Sequence, residues 1–121
     1  MTWHPRGIFD DELAEQFVEF LECEEHTADA PFHRYTDLNG LTEIRLKLSK
    51  THELAQRRRE HYAGGERVKS AIFCDWAFGM GVARSYEALM LGGPIKVRAF
   101  RTRQCAAEWL GVPQEILMPD P

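Results

Sequence analysis

The stretch VKSAIFC, Val68 to Cys74, constrains the fold most, because apart from Lys69 every residue in it is apolar or small. Such a run, bounded by polar segments and lacking polar alternation, reads as a strand covered on both faces, the mark of a central strand in a parallel sheet. The residues C-terminal to it fit a crossover. Val82, Ala83, Tyr86, Leu89 and Met90 recur at helical spacing and are closed by Gly92-Gly93-Pro94. Ile95, Val97 and Ala99 then alternate with Lys96 and Arg98, predicting a strand with one more exposed face, nearer an edge. Strand, helix and strand in this order join parallel strands.

The remaining periodicity extends the pattern in both directions. Asp10 or Asp11 is placed to cap a helix on which Leu13, Ala14, Phe17, Val18 and Leu21 share a face. That helix is expected to stop near Cys23, since Glu24 and Glu25 would oppose the helix dipole in a last turn. Phe32 to Asp37 alternates as a strand ending in the turn Asp37-Leu38-Asn39-Gly40. Leu41 to Ser49 fits both periods and is read as a short extended or single-turn link. Ser49 is expected to cap a helix that stops at Gly64-Gly65, with Arg57-Arg58-Arg59 as a solvated basic run near its end. Thr102 is expected to cap a last helix with Cys105, Ala106, Trp109 and Leu110 on one face, Gly111 past its end and Pro113 preventing continuation. The expected class is α/β: a single-layer, mostly parallel sheet of three to five strands packed with about four helices. A chain of 121 residues closes one core, so one domain is expected over 1–121, with a short arm over 1–9 and an irregular tail over 112–121.

Composition removes several functions. The formal charge of -4 gives no electrostatic reason to bind nucleic acid or an anionic membrane. No stretch approaches the ~18 apolar residues of a membrane span, and the start MTWHPRGIFDDEL lacks the profile of a secretion signal, so a cytoplasmic location is expected. Cys23, Cys74 and Cys105 form no C-x-x-C pair and are expected reduced and buried. The histidines at 4, 26, 33, 52 and 61 have no metal-ligand spacing; neither a metal nor a cofactor is expected.

In an open parallel sheet the carboxyl ends of the strands share one edge, where ligands bind in crevices. Asp37, Asp75, Trp76, Phe78 and Arg101 fall at that edge. The stretch GMGVAR falls short of a dinucleotide fingerprint, and no phosphate-binding G-K-[ST] loop exists. What survives is an anion site made by backbone N–H groups after Gly79 and Gly81, with Arg84 one turn in. Trp76 and Phe78 supply an aromatic wall for a planar or apolar ligand. Asp37 and Asp75, if adjacent, would suit acid–base chemistry. Each feature also has a purely structural use: glycines for close approach, aspartates as caps, Arg84 in an ion pair, the aromatics as core cover. Cys74 has no neighbouring cation in sequence to stabilise a thiolate.

Taken together, VKSAIFCDWAFGMGVARSYEAL, IKVRAF and AAEWLG resemble the SpoIIAA-like group of the STAS superfamily, small bacterial α/β domains, over roughly Phe32 to Val112. The members that regulate sigma factors are similar through the turn at Asp37 to Gly40, after which Asp-Ser-Ser carries the phosphate. Here Arg45-Leu46-Lys47 stands in that place, the acceptor is missing, and nearby Ser49 is expected as a cap. The resemblance implies a non-catalytic domain acting through a protein partner or self-association. The alternative it implies is a binder of a small anionic or amphipathic ligand, nucleotide- or lipid-like, at Asp37, Asp75, Trp76, Phe78, Gly79, Gly81, Arg84 and Arg101. A sheet beginning at Phe32 leaves one edge open unless the short N-terminal arm or another subunit covers it, and of these a homodimer is expected.

Overall fold

The computed structural model describes residues 1–119. The apolar run forms β5 (Val68–Phe73), an inner strand between β3 (Arg34–Asp37) and β6 (Ile95–Phe100). With β1 (Thr2–Trp3) they make a four-stranded, wholly parallel sheet in the order β1-β3-β5-β6. A separate parallel pair joins β2 (Gly7–Asp10) to β4 (Leu41–Arg45). Alternation along β5 sorts the interior: Val68 and Ile72 pack towards one face, Ala71 and Phe73 towards the other. The first face is covered by α1 (Asp11–Thr27), α2 (Leu48–His61) and α3 (Ala77–Leu89); α4 (Arg103–Leu110) and a 3-10 turn at Gln114–Leu117 cover the second. No helix among the described residues is long and apolar enough to cross a membrane.

Two caps form as their residues dictate. Leu13 N donates to Asp10 Oδ1 at 2.8 Å, and Cys105 N donates to Thr102 Oγ1 at 3.1 Å. Gly111 closes α4 in the left-handed region at φ 74°.

Elsewhere tertiary partners override local signals. The arm over 1–9 is not bare: because parallel pairing needs no hairpin, β1 reaches β3 with α1 as the crossover, and Tyr35 N donates to the Met1 carbonyl at 2.9 Å. The edge expected to seek a second copy is therefore covered by the chain's own β1. At the opposite edge, Glu87 of α3 accepts from Ala99 N at 2.7 Å and blunts β6. Leu41–Arg45 is a strand and not a link, since β2 supplies its partner. α1 passes Cys23 and runs to Thr27 because Glu25 meets buried Arg34 and Arg58, which outweigh the unfavourable dipole. Ser49 is no cap: α2 begins a residue earlier, after Lys47, whose N–H is taken by Asp11 Oδ1 at 3.0 Å. α3 opens at Ala77, placing Gly79 and Gly81 inside the helix and not in a loop before it. The tail is ordered as far as the 3-10 turn, with Leu117 buried under α4 and its carbonyl 2.8 Å from His4 Nε2. The last two positions of the expected irregular tail lie outside the described residues.

Candidate functional site

At the carboxyl edge of the sheet, Asp37 is buried and its oxygens are taken. The Tyr35 hydroxyl donates to Oδ2 at 3.0 Å, Arg103 Nη2 donates to the same oxygen at 2.8 Å, and Asn39 N donates to Oδ1 at 3.0 Å. Burial pushes the Tyr35 phenol far above its ordinary range. A crevice of about 290 Å³ beside them is lined by His4, Arg6, Asp37, Asn39, Gly40 and Arg103 among others. Asp75 is exposed and donates its backbone N–H to Asn39 Oδ1 at 3.0 Å, so Asn39 joins the two segments while the Asp75 carboxylate stays outside the buried network of Asp37.

Trp76 and Phe78 have nearly parallel rings with centroids 6.4 Å apart, and Phe78 is 62% exposed. Gly79 is buried against Cys74 and Trp76, whereas Gly81, Arg84 and Arg101 face solvent. Of the eight expected site residues, Asp37 alone reaches the crevice, while Trp76 and Gly79 pack together behind Cys74.

Cys74 is wholly buried, donates weakly to the Trp76 carbonyl at 3.5 Å, and has its thiol pushed up by burial. Cys23 and Cys105 are exposed, contrary to the expectation for all three, because each falls on the outer side of its helix. Titration of the folded protein with a thiol reagent is therefore expected to modify Cys23 and Cys105 first, with Cys74 slower by a factor on the order of ten or more.

A more apolar feature lies further in. Between the sheet and its three covering helices is a cavity of about 130 Å³. Its apolar body comes from Phe17, Val18 and Leu21 of α1, Leu54 of α2, and Ile72 of β5. Trp3 of β1 closes one side, stacked on Phe17 with centroids 3.7 Å apart.

One pole of this cavity is charged. Arg34 begins β3, lies opposite Ser70 in the β5 register and is 3% exposed; Arg58, on the inner face of α2, is 1% exposed. The Glu25 side chain, from the end of α1, sits between them. Its Oε2 lies 2.7 Å from Arg34 Nη1 and accepts from Arg58 Nη2 at 2.5 Å. Glu22 is 3.6 Å from Arg58 Nη1 but is hydrogen-bonded by the half-exposed Arg57, at 2.7 Å and 3.2 Å, with His61 Nδ1 at 3.7 Å. Phe32 and Tyr62 flank the Arg34 guanidinium, 4.6 Å and 5.5 Å from its centre.

Even so, Nε and Nη2 of Arg34, Nε and Nη1 of Arg58, Glu22 Oε2 and Glu25 Oε1 are buried without a protein hydrogen-bond partner. Burial pulls Arg34 below its usual value against the opposing pull of Glu25, and raises the Tyr86 phenol beside Arg58. The basic run is thus not a solvated face. Arg58 follows Thr51 and Leu54 at i+7 and i+4, which turns it inward while its neighbours turn out. That spacing was the available signal for this pole.

No family model matches the chain, and no curated protein matches it. Among solved structures, the chain is similar to an uncharacterized protein of the DUF3478 family with a SpoIIAA-like fold from Shewanella loihica PV-4. The two are 18% identical, with a TM-score of 0.52, over 88% of this chain and 80% of the other. The fold is the SpoIIAA-like α/β fold implied by the strand, helix and strand succession around β5, and at this identity the likeness is one of fold.

Proposed function

We propose that this domain is a non-catalytic binding module that takes a small, largely apolar molecule into the cavity between the sheet and α1, α2 and α3. The observation that carries the reading is the cavity itself. Protein interiors rarely leave voids larger than a water. The space, about 130 Å³ and partly open to solvent, is lined mainly by apolar side chains, and an apolar occupant would remove that surface from water. An apolar cavity of about 150 Å³ is known to take up benzene, so the fitting ligand is a single ring or a short chain. Self-association through a sheet edge has less support, because β1 covers one edge and Glu87 engages the other.

Thermal unfolding with and without benzene tests the reading. A probe at about ten times its Kd adds about 1.4 kcal/mol, a rise of several degrees in Tm for a domain of this size. Ala83→Leu, which places three extra carbons in the cavity wall, is expected to fold and to abolish the rise. A wild-type Tm indifferent to benzene would end the proposal.

A further inference from the structure

We infer that the molecule taken into this cavity is uncharged and carries a hydroxyl group, hydrogen-bonded by the side chains of Ser70 and Thr36 on the floor that the sheet provides. The inference rests on the binding reading above and adds the chemistry of the ligand. Charge is excluded by the ion pairs at the inner pole. Arg34 is held by Glu25, Arg58 by Glu25 and Glu22, and Arg57 by Glu22 and Glu15, so the guanidinium groups and the carboxylates balance. Lys50, a further cation on Glu15, is answered by Glu53. An ion brought in beside this balanced cluster would be desolvated with no counterion to meet it, which is strongly unfavourable for either sign.

What the sheet offers is neutral. On the face of β5 that the three helices cover, Val68 and Ile72 are apolar, yet Ser70 between them is a buried polar residue in the cavity lining. Register places Ser70 opposite Arg34 and Thr36 opposite Ile72, so alternation puts Thr36 and Ser70 diagonally adjacent on one face, both in the lining. The other hydroxyls of the wall are placed differently. Thr51 donates to the Lys47 carbonyl at 3.3 Å within α2, and Tyr86 lies beside Arg58 at the charged pole. A ligand hydroxyl both donates and accepts, so it can answer Ser70 and Thr36 together, whereas a carbonyl only accepts and an alkyl group does neither. Phe17, Val18, Leu54 and Ile72 then take its apolar body. A wall that hydrogen-bonds a hydroxyl rejects the analogue lacking it; a wholly apolar wall does the reverse, because the hydroxyl loses water for nothing in return.

Calorimetric titration of the wild-type protein at neutral pH with phenol, toluene, N-methylpyridinium and pentanoate, all with the same number of non-hydrogen atoms, tests this. Phenol is expected to bind at least as tightly as toluene, and both ions at least roughly tenfold more weakly than phenol, the equivalent of about 1.4 kcal/mol. Replacing Ser70 by Ala and Thr36 by Val removes both hydroxyls with little change of volume, and is expected to turn the order over, with toluene roughly tenfold tighter than phenol. Should that variant fail to fold, the wild-type order decides alone. Toluene tighter than phenol on the wild type, or benzene raising Tm while phenol fails to bind, overturns the hydroxyl and leaves the cavity reading standing. Either ion binding within tenfold of phenol overturns the uncharged ligand. A double variant that keeps the wild-type order overturns the assignment to Ser70 and Thr36. If phenol and toluene fail to bind and benzene leaves Tm unmoved, both readings fall.

Discussion

Glu25→Ala is expected to lower the unfolding free energy by about 3–5 kcal/mol, measured by urea denaturation, because it strands buried Arg34 and leaves Arg58 with only Glu22, 3.6 Å away. For a domain whose whole stability is of order 5–15 kcal/mol, that loss brings it close to unfolding. The opposite result is expected when the charges leave together. Replacing Glu25 by Leu and both Arg34 and Arg58 by Met is expected to be neutral or stabilising by up to about 4 kcal/mol, since desolvation of the ions consumes most of their attraction. The contrast identifies what the network is for. If the triple variant is as stable as the wild type, the arginines are not retained for folding. A loss below about 1 kcal/mol for Glu25→Ala would mean that the guanidinium groups reach water, as surface ions do.

Gly79→Ala and Gly81→Ala are expected to shift thermal stability in opposite directions although they sit two residues apart on α3. A methyl on Gly79 falls inside van der Waals contact with Cys74 Sγ and 3.0 Å from the Trp76 indole, and Cys74 has nowhere to retreat. Overpacking of this kind costs about 1–3 kcal/mol, more than the roughly 0.5–1 kcal/mol that alanine gains over glycine inside a helix. At Gly81 nothing lies within 4 Å of the added carbon, so only the helix gain remains. Cys74→Ala in the Gly79→Ala background should recover much of the loss, a coupling that a double-mutant cycle measures directly. A destabilised Gly81→Ala would contradict the helical assignment of the glycine segment.

The parts of the fold that were legible are those specified by neighbouring residues. The buried character of β5, the alternation of β6, and the Thr102 and Gly111 ends of α4 are written locally. The parts that were not legible depend on distant partners. Thr2 and Trp3 have too few residues to show a period, and become a strand because β3 and Phe17 receive them. Glu25 is a poor residue for a helix end until Arg34 and Arg58 are set beside it.

The proposed cavity was not legible for a related reason. The general rule for open α/β sheets points to the carboxyl edge, whereas Arg34 is the first residue of its strand and the charged pole lies at the amino end. A cavity is a deficit of packing, and no residue pattern announces atoms that are missing. Only the turn of Arg58 onto the face of Thr51 and Leu54 gave notice that a charge was going inside.

β1 is two residues long, yet its Trp3 is part of the cavity wall. Its hold on the sheet is a short ladder to Tyr35 and Thr36, the packing of Trp3 on Phe17 and Phe9, and hydrogen bonds from flanking Met1 and His4, less than anchors β5 or β6. Elements held this weakly detach in partial openings that leave the rest of the domain folded. For the small molecule proposed above, release of β1 would widen the way in and out without global unfolding. Occupancy would act back on the same contact: a guest touching Trp3 would make the strand slower to leave, so a loaded domain would present a closed amino-terminal arm and an empty one a frayed arm. The cavity would thereby have an outward sign of its contents.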